Sequence, residues 1–242
     1  MKAIILAAGL GKRLGLEEMP KPMYKINGKP ILEHNILLLK KHNIHDICIT
    51  LHYKGEVIKD YFEDGKKWNV RITYAFEEAL CGTSGGVKSA EWFLEEGSFF
   101  IIYGDNYTNI NLTDMLQFHK NTKPTATIAL FDPTKSQNSH IAGGIVKLDK
   151  NNSVVSFIEG SKNELSGYVN AGVYILEPKV LDMISANKPS DFGADIFPKL
   201  VKEGFTLQAY LTSSFVLAID TKDALELTKQ ATMQGEIKSD NN

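Results

Sequence analysis

The chain has 242 residues, of which 43% are hydrophobic and 23% charged, with a formal net charge of -2. That is an ordinary globular composition, large enough for one sizeable core, and its charge balance argues against a general nucleic-acid or anionic-membrane binder. No apolar run approaches the roughly 18 residues of a spanning helix and no secretory signal pattern precedes the first predicted strand, so the sequence predicts a cytoplasmic protein whose anionic ligands must be met by a local cluster.

In chain order, Ala3 to Ala8 is an unbroken apolar run, which suits a central parallel strand covered on both faces. Gly9 and Gly11 follow, removing the β-carbons where the backbone must turn and letting successive N–H groups point at a phosphate oxygen. Arg13 adds a planar fork of donors matched to phosphate, and Lys21 sits between Pro20 and Pro22 on a segment that both prolines stiffen. Two commoner glycine turns fail here. A dinucleotide fingerprint needs a glycine one residue earlier than Gly15 and an acid about twenty positions on, where this chain has Lys25, Asn27 and Lys29. A Walker loop needs Ser or Thr after Gly11-Lys12, and Arg13 stands there.

Ile26 to Pro30 reads as a turn and Ile31 to His42 as the first crossover helix. Asp46 to Leu51, Lys54 to Phe62 and Val70 to Phe76 then read as strand, helix and strand, with links short enough for βαβ units and a parallel sheet. Leu80 to Lys88 is a second glycine-rich stretch, read as a loop before a helix from Val87 to Leu94; its Thr83 hydroxyl could bond a base edge or ribose. Ser98 to Tyr103 is a strand ending in Gly104-Asp105, the position at which open α/β sheets bind ligands; the alternative for Asp105 is a turn or cap residue. Leu112 to Lys120 reads as a helix and Thr125 to Phe131 as a strand.

From about Asp132 the texture becomes more polar, with a hairpin expected from Gly143 to Leu148 and Val154 to Glu159. Tyr168 to Leu176 is a strand whose small centre admits a close approach, and its Asn170 can read a sugar hydroxyl. Pro178 to Ile184 is a short helix, and Asp191 to Pro198 leads into another. Leu207 to Leu211 and Val216 to Ile219 are late strands, the second ending in Asp220 before a helix from Lys222 to about Met233 and a polar tail over 234–242, so Asp105 and Asp220 are both expected at the carboxyl edge of one parallel sheet. Cys48 and Cys81 lack metal-ligand spacing and read as free thiols.

Leu6-Ala7-Ala8-Gly9-Leu10-Gly11-Lys12-Arg13-Leu14 with Pro20-Lys21-Pro22-Met23 resembles the signature of the sugar-1-phosphate nucleotidyltransferases. The resemblance extends to about Ala231 and implies a doubly wound, mostly parallel α/β sheet with a smaller sugar-binding lobe. One domain over 1–233 would hold a nucleotide-binding half, about 1–131, and a sugar-binding half, about 132–233. The implied reaction is magnesium-dependent transfer of a nucleotidyl group from a nucleoside triphosphate to a sugar 1-phosphate, with no nucleic-acid or membrane partner; self-association into a homo-oligomer is left open. Arg13, Lys21, Asp105 and Asp220 would be catalytic, the two aspartates holding Mg2+. Leu6, Ala7, Ala8, Gly9, Gly11, Gly82 and Thr83 would face the nucleotide, and Gly144, Glu159, Lys162 and Asn170 the sugar. Gly160 and Ser161 part Glu159 from Lys162, where relatives have adjacent acid and lysine, so Lys162 is either a sugar-phosphate contact or a solvated lysine. Similarly, Asp220 lacks the glycine that relatives place before the following threonine. Asp191 to Pro198 resembles a stretch of mannose-type guanylyltransferases, so guanine with mannose or a manno-heptose leads; uracil or thymine with glucose, cytosine with an alcohol phosphate, and a silent nucleotide-sugar-binding relative remain alternatives.

Overall fold

The computed structural model describes residues 1–11, 19–94, 97–138, 144–158, 167–186, 188–219 and 221–233. Arg13, Glu159, Lys162, Asp220 and the tail from 234 lie outside the described residues. The strands are β1 Lys2–Leu6, β2 Lys25–Ile26, β3 Lys29–Pro30, β4 Asp46–Leu51, β5 Arg71–Phe76, β6 Phe99–Tyr103, β7 Asn106–Thr108, β8 Ala126–Phe131, β9 Ile145–Leu148, β10 Val154–Ile158, β11 Tyr168–Leu176, β12 Leu207–Thr212 and β13 Val216–Ala218. The helices are α1 Ile31–Lys41, α2 Gly55–Phe62, α3 Gly82–Ser89, α4 Leu112–Thr122, α5 Phe197–Lys202 and α6 Lys222–Met233.

Among the described residues nine strands form one sheet. The apolar run at the start of the chain lies at its centre, β1 pairing in parallel with both β4 and β6, and β5 extends the parallel set beyond β4. On the other side β11 runs antiparallel to β6, β8 and β9, while β12 is parallel to β8. Only β10 and β11 therefore oppose the common direction, and the sheet is mostly parallel, as expected. Because β1, β4 and β6 are covered on both faces, their side chains alternate between two cores. Ile5, Ile49 and Ile102 pack with Leu32 and Ile36 of α1, whereas Ile4, Cys48 and Ile101 pack on the face of α3 and α5.

Two expectations are corrected. The glycine-rich stretch before Val87 is itself helical, α3 running from Gly82 to Ser89 and giving way to a short 3-10 turn at Glu91–Phe93. In addition, β13 does not join the main sheet: it is three residues long and pairs antiparallel with β7, with Ala218 opposite Asn106. This ribbon rests on a third small core of Ile26, Ile31, Tyr107, Phe215, Leu217, Ile219 and Leu225.

Candidate active site

The carboxyl ends of β1, β4, β5 and β6 open onto a cleft of about 410 Å3, the place where open α/β sheets take ligands. One wall begins with Leu6, Ala7, Ala8 and Gly9 as the chain leaves β1. Among the described residues, a Cβ on Gly9 would meet no other atom within 4 Å, so their packing does not demand glycine there. Gly11 differs, because a Cβ on it would stand 3.1 Å from Lys21 Cγ. The Lys21 stem is thus laid against the glycine turn, and its residue is buried although it carries a charge.

Lys21 opens a short 3-10 turn, Lys21–Met23, that packs its three residues inward. Its Nζ lies 3.5 Å from Asp105 Oδ2, with the lysine side chain 9% and the aspartate 27% exposed. Asp105 occupies the sharp step between β6 and β7. Asn106, next to it, is buried and donates through Nδ2 to the Ala171 carbonyl at 3.0 Å. The structure therefore brings together two of the four expected catalytic residues from distant points in the chain.

The opposite wall carries Asn170 and Gly172. Asn170 Nδ2 donates to the Tyr174 hydroxyl at 2.7 Å, and its Oδ1 accepts from Gly172 N–H at 3.0 Å. Gly144 stands beside it, its carbonyl accepting from Asn170 N–H at 3.3 Å. Gly82 and Thr83 also line the cleft; the Thr83 hydroxyl donates to Asp191 at 3.0 Å and accepts from Phe192 N–H at 2.9 Å.

Sequence reasoning missed Glu77, which immediately follows β5, is only 7% exposed and lines the cleft. Its Oε2 accepts from Cys81 N–H at 3.1 Å. The Thr50 hydroxyl also bonds the carboxylate, and Thr50 Oγ1 in turn accepts from Ala7 N–H at 3.3 Å. Burial pushes the Glu77 carboxyl above its ordinary range, against smaller opposing effects from Cys81 N–H, Thr50 and His52. The signal available beforehand was an acid at the end of a parallel strand, the same signal that singled out Asp105. Asp191, Gly193 and Ala194 were likewise not read as lining residues.

An open cleft at the strand ends, a glycine turn, a buried lysine and an adjacent aspartate are parts with which an α/β protein can hold a phosphate group. The family model described as "Nucleotidyl transferase" matches residues 2–216, and the chain belongs to that family. It is 34% identical over 224 residues to a UTP--glucose-1-phosphate uridylyltransferase of Synechocystis, covering 86% of this chain and 57% of that protein. Against Mannose-1-phosphate guanylyltransferase 1 of Arabidopsis thaliana the identity is 32% over 206 residues, covering 83% and 56% respectively. The chain thus spans little more than half the length of these curated relatives. The crystal structure of HddC from Yersinia pseudotuberculosis complexed with GMP-PN superposes with a TM-score of 0.78 at 25% identity, covering 95% of this chain and 98% of that one.

Proposed function

We propose that this protein transfers a nucleotidyl group from a nucleoside triphosphate to a sugar 1-phosphate, releasing pyrophosphate, and that guanine is the base it prefers. The observation that carries the reaction is the pairing of Lys21 with Asp105 at 3.5 Å, inside a cleft whose wall is the Ala7 to Gly9 turn. A sugar phosphate oxygen would attack the α-phosphorus in line, and no protein nucleophile is needed; catalysis is positioning and charge neutralisation. Lys21 meets charge at the α-phosphate, and Arg13 is assigned to the departing pyrophosphate. Hard oxygen donors such as the exposed edge of Asp105 suit Mg2+, which Asp105 and Asp220 would hold and which supplies further neutralisation of the phosphate oxygens. Asn170, Gly144, Glu159 and Lys162 are assigned to the sugar, giving a nucleotide half over about 1–131 and a sugar half over about 132–233.

Glu77 supports guanine. An ionised carboxylate only accepts hydrogen bonds, and guanine alone among the common bases presents two adjacent N–H donors on its pairing edge. Uracil and thymine offer one donor between two acceptors. The guanylyltransferase from Arabidopsis and the GMP-PN complex are consistent with this preference; mannose or a related manno-sugar is the acceptor proposed with it, in a cytoplasmic enzyme. The test crosses GTP, UTP, dTTP, CTP and ATP with mannose, manno-heptose and glucose 1-phosphates and measures magnesium-dependent pyrophosphate release. Strongest release with GTP is expected. Release with no pair would overturn the reaction, and a clear preference for UTP or dTTP would overturn the base assignment.

A further inference from the structure

The turn that opens α3 is held in place by a segment 108 positions further along the chain. α3 has no side-chain cap of its own at Cys81, so its first N–H groups need partners from elsewhere. Thr83 N–H donates to Asp191 Oδ1 at 2.9 Å, and the Thr83 hydroxyl donates to the same oxygen at 3.0 Å. Ser84 and Gly85 N–H both donate to the Ser190 carbonyl, at 3.0 and 3.2 Å. Bonds return in the other direction from Ser190 N–H to the Cys81 carbonyl at 2.8 Å and from Phe192 N–H to Thr83 Oγ1 at 2.9 Å.

A carboxylate at a helix N-terminus satisfies exposed donors and gains from the helix dipole. Asp191 thus caps α3 from a distant segment, and three of the amides that could have bound a phosphate are already used. What this helix end offers a ligand is the shape of its turn. The arrangement has little freedom to slide, since a Cβ on Gly82, whose φ is +72°, would stand 2.5 Å from the Ser190 carbonyl oxygen. On the far side Phe192 is fully buried, its ring centroid 5.5 Å from Tyr174 and 5.4 Å from Phe197. Gly82, Thr83 and Asp191 all line the candidate cleft.

We propose that Asp191 is a positioning residue, which holds the Gly82–Thr83 turn in the shape that receives the nucleotide and joins that turn to the segment lining the same cleft through Gly193 and Ala194. The proposal rests on the nucleotidyl-transfer reading. Without the carboxylate the turn samples other shapes, and triphosphate affinity falls with the fraction of molecules that keep the competent one.

The experiment compares wild type with Asp191→Ala, Asp191→Asn, Thr83→Val, Thr83→Ser and the double variant Thr83→Val/Asp191→Ala. It measures GTP binding by calorimetry, together with kcat and both KM values. Asp191→Ala should weaken GTP binding on the order of tenfold while kcat changes less. Asp191→Asn, which keeps an acceptor, should fall between it and wild type; Thr83→Ser should restore most of what Thr83→Val loses, and the double variant should be no worse than either single one. Should Asp191→Ala fail to fold, Asp191→Asn and the Thr83 pair give the same comparison. Unchanged GTP affinity in active variants, losses that multiply in the double variant, or a fall in kcat alone would overturn the proposal. A wild-type protein that binds no triphosphate would overturn the nucleotidyl-transfer reading and the proposal with it.

Discussion

At the scale of single residues, Glu77 is a buried carboxyl at the cleft, proposed above to meet guanine. Its carboxyl is pushed up chiefly by desolvation, so between the unfolded and folded pKa values the folded chain holds more protons. The stability that this group contributes is therefore present at low pH and lost as pH rises through its folded pKa. Guanine's donors would favour the ionised form, so binding and free-state stability pull in opposite directions. The expected outcome is a GTP KM that falls as pH rises through the raised Glu77 pKa and levels off above it. Glu77→Gln should remove that dependence and raise the GTP KM roughly tenfold or more, since one good pair of base contacts is worth about 1–3 kcal/mol. Initial-rate profiles for the two proteins across mildly acid to neutral pH check both statements; parallel profiles would remove Glu77 from base recognition. The residue escaped sequence reading because glutamate next to a second acid, Glu78, looks like a solvated strand end, and only the burial of its carboxylate distinguishes it.

At the scale of elements, unbroken apolar runs made the central strands legible, because a strand covered on both faces has no polar side to display. Elements whose partners lie far along the chain were harder to read. Ser190 and Asp191 satisfy the first amides of α3, and no local signal announces a cap from another segment. β11 is an intermediate case: its small centre was read as admitting a close approach, and the approaching atoms belong to the protein itself. Gly172 has φ +69°, and a Cβ there would stand 2.6 Å from Asn106 Nδ2 and 3.0 Å from the Tyr103 ring. The pairing register with β8 shifts across this point, between Asn170 and Tyr174. Gly172→Ala therefore combines a left-handed backbone with overpacking and should cost about 2–4 kcal/mol. At roughly 2–4 °C per kcal/mol for a domain of this size, thermal denaturation should show a clear drop in midpoint. Turnover should fall further than stability explains, because Asn106 adjoins Asp105; a variant with normal turnover would separate the bend in β11 from the site.

At the scale of the whole molecule, the chain returns from its far end to the place where β6 stops. Asp105 and Asp220 were expected together at the carboxyl edge of one parallel sheet, but β13 instead pairs antiparallel with β7, placing Ala218 opposite Asn106. That pairing is short, and it depends on the small core in which Tyr107 meets Phe215, Leu217 and Ile219, with Leu225 of α6 packed alongside. A three-residue ribbon has little intrinsic stability, so this core, more than its own hydrogen bonds, keeps the late segment beside Asp105. The expectation of a shared sheet edge is thus corrected for β13, which lies in a separate ribbon, while the assignment of Asp220 to the metal stays a proposal. If Asp105 and Asp220 hold one Mg2+, they act as a unit, and losses on removing residues that act together do not multiply. Asp105→Ala and Asp220→Ala should each abolish most magnesium-dependent pyrophosphate release, and the double variant should be hardly worse than either. Because both carboxylates would be needed to hold the ion, each single variant should lose dependence on magnesium concentration as well as rate. A kinetic double-mutant cycle over a magnesium titration decides the matter: independent multiplicative losses, or full activity in a chelator, would sink the shared-metal assignment.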